Sequence, residues 1–322
     1  MVYPIGTGDS RIVRITLLIK GDLDHLEQIR GDISRLRQAL PEARITALES
    51  QEAGSIVGLA QRACEDSDYL IAVGGDGTLH EVLNGCLQHG LTRRALPALG
   101  LIAQGTANDY ARTLGLHGDM AELIELLKLG RCRRVDAGRI RYRDAAGKQA
   151  QRYFLNAADI GVGAAVVSNL KTTTGALGRY LRYPVAIART FLTYQPKVLT
   201  VRSDTGLCWR GSTLALVAAN GRYFGSGLCI TPQARFDDGE LSVTLVGDAS
   251  TADFLRHLGA LRRGELIRHS AVLYHRARQL DIEHHGEAAA VEADGEPLGT
   301  TPVTIDIRPG AINFLCPPAL KA

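Results

Sequence analysis

Gly74-Gly75-Asp76-Gly77-Thr78 is a set of residues that can do chemistry together. Glycines let the backbone reach positive φ and let a ligand come close. Leu79, Val82, Leu83, Cys86 and Leu87 follow at helical spacing. The glycines therefore lead into a helix start, whose unpaired N–H groups and dipole favour an anion. That is the outline of a phosphate site. A carboxylate beside a bare phosphate is repelled, so Asp76 points to Mg²⁺ or to a hydroxyl proton between the two. Phosphoryl transfer from a nucleotide fits this better than simple anion binding. The competing reading is that Asp76 or Thr78 merely caps the helix. A hairpin at Asp76-Gly77 fails because the apolar spacing after it is helical and not alternating.

A second loop, Gln104-Gly105-Thr106-Ala107-Asn108-Asp109, has the same setting. It follows a strand at Ala98–Ala103 and precedes a helix starting at Asp109–Leu114. In a parallel sheet both loops lie on one edge. Asn108 and Asp109 are equally readable as helix caps.

The elements that must position these loops alternate. Strands are expected at Ile12–Ile19, Ala43–Leu48, Tyr69–Val73 and Ala98–Ala103, with helices at Leu23–Leu40, Ile56–Cys64 and Leu79–Gln88. Such alternation implies a parallel α/β sheet with ligands at the carboxyl ends of its strands. Near Asp136 the pattern changes. Alternating strands such as Leu214–Ala219, Leu241–Val246 and Val303–Ile307 dominate, interrupted by helical stretches near Leu181–Leu192 and Thr251–Arg263. A second, β-rich domain is expected. Asp136 itself is read as a hinge or cap, or as a member of a Mg²⁺ network.

The 322 residues allow about two domains. With 45% hydrophobic and 22% charged residues the chain is globular, and a net charge of +3 gives no reason to expect nucleic acid. Six scattered cysteines without a Cys-x-x-Cys pair read as buried thiols in a reducing compartment. His284-His285 reads as strand surface rather than a metal site. No apolar run of about 18 residues and no signal-peptide core is present. A soluble cytoplasmic protein is expected.

In order, these motifs resemble the bacterial diacylglycerol-kinase-like lipid kinases, especially the YegS group, relatives of sphingosine and ceramide kinases. The likeness runs through Gly74–Thr78 with Glu81 and Asn84, and Gly105–Ala111. It continues through Val135-Asp136, Asn220-Gly221-Arg222, Pro232 with Asp238-Gly239, and Asp294-Gly295-Glu296-Pro297. The resemblance implies an α/β nucleotide-binding domain over 1–136 and a β-sandwich-like lipid or substrate domain over 137–308, with 309–322 returning to the first. It implies ATP and Mg²⁺ as cofactors. Nucleotide contacts would come from Gly74, Gly75, Asp76, Gly77, Thr78, Leu79, His80, Glu81, Gly105 and Thr106. A metal would be held by the Asp238 side chain with the backbone carbonyls of Arg235 and Glu240. Glu296 would be the base that takes the lipid hydroxyl proton, with Asp76 the second choice. Read locally, Asp238-Gly239 and Asp294-Gly295 are ordinary hairpin turns. The usual Asn-Pro-x-Ser-Gly loop is replaced by Lys20-Gly21-Asp22, where Lys20 can act as a point charge on phosphate. Ser50 takes the place of a nucleotide-contacting Thr.

The implied reaction is phosphorylation of a lipid hydroxyl, that of diacylglycerol or a related lipid alcohol such as phosphatidylglycerol. The competing readings are NAD kinase and a non-catalytic, nucleotide-sensing membrane-associated protein. A lipid substrate requires peripheral contact with the inner membrane face. Gly178–Tyr194 and Thr251–His269 mix Arg with aromatic or Leu residues and suit an anionic surface. Ordinary surface packing is the alternative for both. A homodimer is left open.

Overall fold

The computed structural model describes residues 12–23, 26–52, 54–88, 96–144, 146–172, 187 and 189–317. The chain divides into two compact units, Met1–Asp136 with Gly310–Ala322, and Ala137–Pro309.

The first unit alternates strand and helix. Its elements are β1 (Arg14–Ile19), α1 (Leu26–Ala39), β2 (Arg44–Glu49), α2 (Ser55–Cys64), β3 (Tyr69–Gly74), α3 (Asp76–Gln88), β4 (Ala98–Ala103), α4 (Asp109–Leu114) and α5 (Met120–Leu129). The strands run parallel in the order β2-β1-β3-β4. β3 is flanked on both sides and buried along its whole length. That is why its sequence is a continuous apolar run and not an alternating one. Ile15, Leu17, Ile71, Val73 and Ile102 pack with Ile29, Ile33 and Leu36 of α1 and Leu123 and Leu127 of α5. The returning chain lies parallel to β4, with Phe314 opposite Leu99.

The second unit begins within β5 (Cys132–Arg143). It continues through β6 (Gln149–Phe154), β7 (Ala157–Gly161), α6 (Val162–Thr172), β8 (Lys197–Ser203), β9 (Cys208–Thr213), β10 (Ala215–Ala219) and β11 (Leu241–Val246). Then come α7 (Thr251–Arg263), β12 (Val272–Ala277), β13 (Gln279–His285), β14 (Ala290–Ala293), β15 (Glu296–Thr300) and β16 (Val303–Leu315). One sheet has the order β12-β11-β10-β7-β14-β15. On the other layer β9, β8, β13 and the first part of β16 pair antiparallel. Ile160, Leu216 and Val243 of the first layer meet Val201, Ile282 and Ile305 of the second in one core. This is a β-sandwich.

Asp136 is not a helix cap, and the first unit ends at it. It lies inside β5, and its Oδ1 accepts the Gly310 N–H at 2.6 Å, fastening the returning strand. β16 runs through Pro309-Gly310 to Leu315, well past the expected end at Ile307. α6 starts directly where β7 ends, in a stretch where no helix was expected. Four of the six cysteines are buried, but Cys208 is exposed and Cys132 half-buried. His284 and His285 belong to β13. Most of Gly178–Tyr194 lies outside the described residues.

Candidate functional site

The loops after β1, β2, β3 and β4 share one edge of the first unit's sheet, because the parallel strands end in register. Ile19 pairs with Glu49 and Val73, and Gly74 with Ala103. Gly74 is glycine for a steric reason: a Cβ there would lie 2.2 Å from Thr78 Oγ1. Its absence lets the first turn of α3 fold back over the strand end. Gly75 and Gly105 meet backbone to backbone. A Cβ on Gly105 would sit 2.5 Å from the Gly75 Cα, and one on Gly75 2.9 Å from the Gly105 Cα.

Asp76 joins the two loops. Its Oδ2 accepts the Asp109 N–H and its Oδ1 the Tyr110 N–H, both at 3.0 Å. The first residue of α3 therefore caps α4. Capping by Asn108 or Asp109 is not what occurs. Asn108 adopts φ 50°, a left-handed conformation that Asn tolerates. Its side chain closes the loop instead, accepting the Gly105 N–H at 3.0 Å and donating to the Gly105 carbonyl at 2.9 Å.

The other expected contacts sort by burial. Thr78 is 3% exposed, and its Oγ1 has no hydrogen-bond partner among the described residues. A hydroxyl left so at a helix start, beside two glycine loops, fits a bound phosphate. Gly77 and Glu81 are half-buried and Thr106 is exposed. Leu79 and His80 are buried, and Asn84 Nδ2 donates to the His80 carbonyl at 2.9 Å. Their side chains seat α3 in its unit, and the Leu79 N–H donates to the Gly75 carbonyl at 3.1 Å. Ser50 Oγ accepts the Gly21 N–H at 2.9 Å and braces the loop after β1. Lys20 Nζ is 3.2 Å from Asp22 Oδ1 at the surface.

In the second unit, Asp294 and Gly295 have φ of 50° and 83°, the tight hairpin turn between β14 and β15. The turn is also a clamp. Asp294 Oδ2 accepts the Leu155 N–H at 2.9 Å, and Oδ1 accepts those of Asn156 at 2.9 Å and Ala157 at 3.2 Å. Asn220 supports the same segment, donating Nδ2–H to the Leu155 carbonyl at 3.0 Å. Glu296, half-buried, opens β15 directly after this rigid turn. Asp76 and Glu296 thus belong to different units.

Of the expected metal ligands, the Asp238 carboxylate is otherwise engaged. Arg276 Nη1 lies 3.2 Å from Asp238 Oδ2 and 3.4 Å from Glu240 Oε2, and its Nη2 is 3.4 Å from the Gln233 carbonyl. Asp238 Oδ1 accepts the Glu240 N–H at 3.2 Å, and the Arg235 side chain pairs with Asp237 at 3.6 Å. A guanidinium already supplies positive charge to these oxygens, so this arrangement does not fit a divalent ion. Among the described residues no group of three or more His, Cys, Asp or Glu is placed to hold a metal.

Sequence reasoning passed over Asp159 and Glu292, which are buried in the second unit. The available signal was a lone carboxylate inside each of two apolar strands.

Residues 25–140 match the family model of the diacylglycerol kinase catalytic domain, and residues 156–316 match that of the YegS C-terminal NAD kinase beta sandwich-like domain. A diacylglycerol kinase of Staphylococcus carnosus is 30% identical over 262 residues, covering 80% of this chain and 79% of that one. A Pseudomonas aeruginosa protein named "Probable lipid kinase YegS-like" is 32% identical over 312 residues, 94% of each. Among solved structures, a diacylglycerol kinase of Bacillus anthracis superposes with a TM-score of 0.70 at 22% identity, covering 97% of this chain and 99% of the other. Yeast NADH kinase complexed with NADH gives 0.53 at 11% identity, over 96% and 85%. These two likenesses speak to the fold.

Proposed function

This chain belongs to the diacylglycerol-kinase family of lipid kinases, and on that premise we propose that it moves the γ-phosphoryl group of ATP to the hydroxyl of diacylglycerol or a related lipid alcohol such as phosphatidylglycerol. The observation that carries this reading is the pair of glycine loops at one sheet edge, locked by Asp76, with the partnerless Thr78 hydroxyl beside them. Mg²⁺ arriving with ATP supplies charge neutralisation on the phosphates. The residues of the chain do the positioning. Backbone of Gly74–Thr78 and Gly105–Thr106 receives the phosphates, Thr78 Oγ donates to one of them, and Lys20 and Ser50 border the same edge.

Glu296 is the base in this reading, held by a turn with few ways to move. Asp76 is the weaker candidate, since each of its oxygens already accepts an amide. Its role is to hold both loops at a fixed spacing.

We place the protein in the cytoplasm, docking peripherally on the inner membrane face. Among the described residues no helix is long and apolar enough to cross a membrane. α7 exposes Arg256, Arg262 and Arg263, while Leu266 just beyond it is 45% exposed and Leu192 is 77% exposed. Phe254 of α7 stacks on Phe191 with centroids 4.4 Å apart. Cations around apolar side chains suit anionic headgroups.

The test is transfer of radiolabel from γ-labelled ATP into detergent-dispersed lipids, with Mg²⁺ present and Glu296→Gln as control. Label in diacylglycerol or phosphatidylglycerol supports the reading. Label in no lipid, together with NADP formation from NAD, would replace it with NAD kinase. ATP binding without any turnover would favour a sensor.

A further inference from the structure

Asp159 of β7 and Glu292 of β14 are register partners on antiparallel strands. Their side chains therefore leave the same sheet face, with Cβ atoms about 5 Å apart. They are only 2% and 4% exposed. α6 covers that face, packing on β7, β14 and β15. Contact with Asp159 is close: a Cβ on Gly163, in the first turn of α6, would lie 1.7 Å from Asp159 Oδ2. Among the described residues no cation acts on the pair. Asp294 and Glu296 act on Glu292 as further acids, and the Asp159 charge is felt at Tyr194, whose buried Oη has no partner among the described residues.

Asp159 Oδ1 also has no partner among the described residues. An ionised carboxylate only accepts hydrogen bonds, so two of them cannot bond each other. One proton makes one of them a donor. Two buried carboxyls at this range therefore titrate as a unit and keep a proton between them. Glu292 Oε2 meanwhile accepts the Gly295 N–H at 2.6 Å, one residue before Glu296.

We propose that Asp159 and Glu292 form a single proton-holding pair that positions Glu296, by keeping the Glu292 carboxylate on the Gly295 amide. The inference rests on the reading of Glu296 as base. Both members are positioning residues. Burial pushes Asp159 up to about 7. Burial first and the Asp159 charge second raise Glu292 well above the usual carboxylate range. Above that pH the pair holds one proton; when that last proton leaves at higher pH, the carboxylates repel, and the turn loses its anchor.

The experiment compares wild type, Asp159→Asn, Glu292→Ala and Glu296→Gln in lipid phosphorylation with saturating Mg-ATP, from pH 5.5 to about 10. Wild-type kcat falls on the alkaline side, as the pair gives up its last proton. In Asp159→Asn the amide donates permanently to Glu292, so kcat at pH 6 stays within threefold and the alkaline fall disappears. Glu292→Ala lowers kcat at least tenfold while KM for the lipid stays within twofold. An Asp159→Asn profile that keeps the wild-type alkaline limb overturns the proposal, as does an unimpaired Glu292→Ala enzyme. If Glu292→Ala does not fold, Asp159→Asn alone decides. Full kcat in Glu296→Gln would instead remove the base reading. The pair itself is then judged by whether Asp159→Asn abolishes the pH dependence of stability.

Discussion

Replacing Asp159 by Asn removes one proton-binding group from the folded protein, and the structure gives the size of the effect. Burial moves this carboxyl from its ordinary value of 3.8 to about 7. The folded state therefore holds a proton that the unfolded chain releases from about pH 4 upward. The sign follows from the raised folded value. Asp159 favours the folded state fully below about pH 4, and that contribution is lost as pH rises through 7. A shift of about three units corresponds to ~4 kcal/mol. Little is screened away, because the group is buried. The wild type should thus lose ~4 kcal/mol between pH 4 and 8 from this residue, and Asp159→Asn should not. The single tryptophan, Trp209, packs against the core of the second unit, so its fluorescence follows that unit during urea unfolding. The quantity to read is the difference between the two proteins across pH, in which groups not coupled to Asp159 cancel. A difference that stays constant within about 1 kcal/mol from pH 4 to 8 refutes the reasoning: Asp159 would then be as ionised folded as unfolded.

Asp76→Ala strips the acceptor from two amides that begin α4 and should cost on the order of 3 kcal/mol, seen as a lower denaturation midpoint, with kcat/KM for ATP falling at least a hundredfold. Gly105→Ala puts a methyl 2.5 Å from the Gly75 Cα. It should raise KM for ATP more than tenfold while the second unit's unfolding stays unchanged by Trp209 fluorescence. Arg276 makes a metal unnecessary at Asp238, so EDTA should leave the wild-type Tm within a degree. Arg276→Gln should lower Tm and make it rise with millimolar Mg²⁺; a wild-type Tm that drops several degrees in EDTA contradicts this.

Much of the nucleotide unit was legible because its signals are local. Tyr69–Val73 is an unbroken apolar run, glycines follow it, and the next apolar residues have helical spacing. The structure puts β3, a turn and α3 there. Ala98–Ala103 reads equally plainly for the same reason. Failures came where partners are distant in sequence. Asp76 was weighed as a cap for its own helix, yet it caps one that starts 33 residues later. Arg276 reaches Asp238 across 38 residues, which no turn signature reveals. α6 was passed over although Gly161, with φ 117°, ends β7 and marks the change; the apolar Ala and Val residues on both sides read as one strand-like run. The last strand was expected only over Val303–Ile307. Asp136, 174 positions away, pins the Gly310 amide and the strand runs on.

The return of Gly310–Leu315 to the first unit has a consequence for biosynthesis. β4 finds its second neighbour in the last strand of the chain. The whole second unit must be translated first, which takes roughly 10–35 s at ribosomal speeds. Through that interval the nascent nucleotide half keeps an open parallel edge, the kind of edge that invites wrong partners. A message truncated just before codon 310 would yield a protein with every glycine loop encoded and its sheet permanently unfinished.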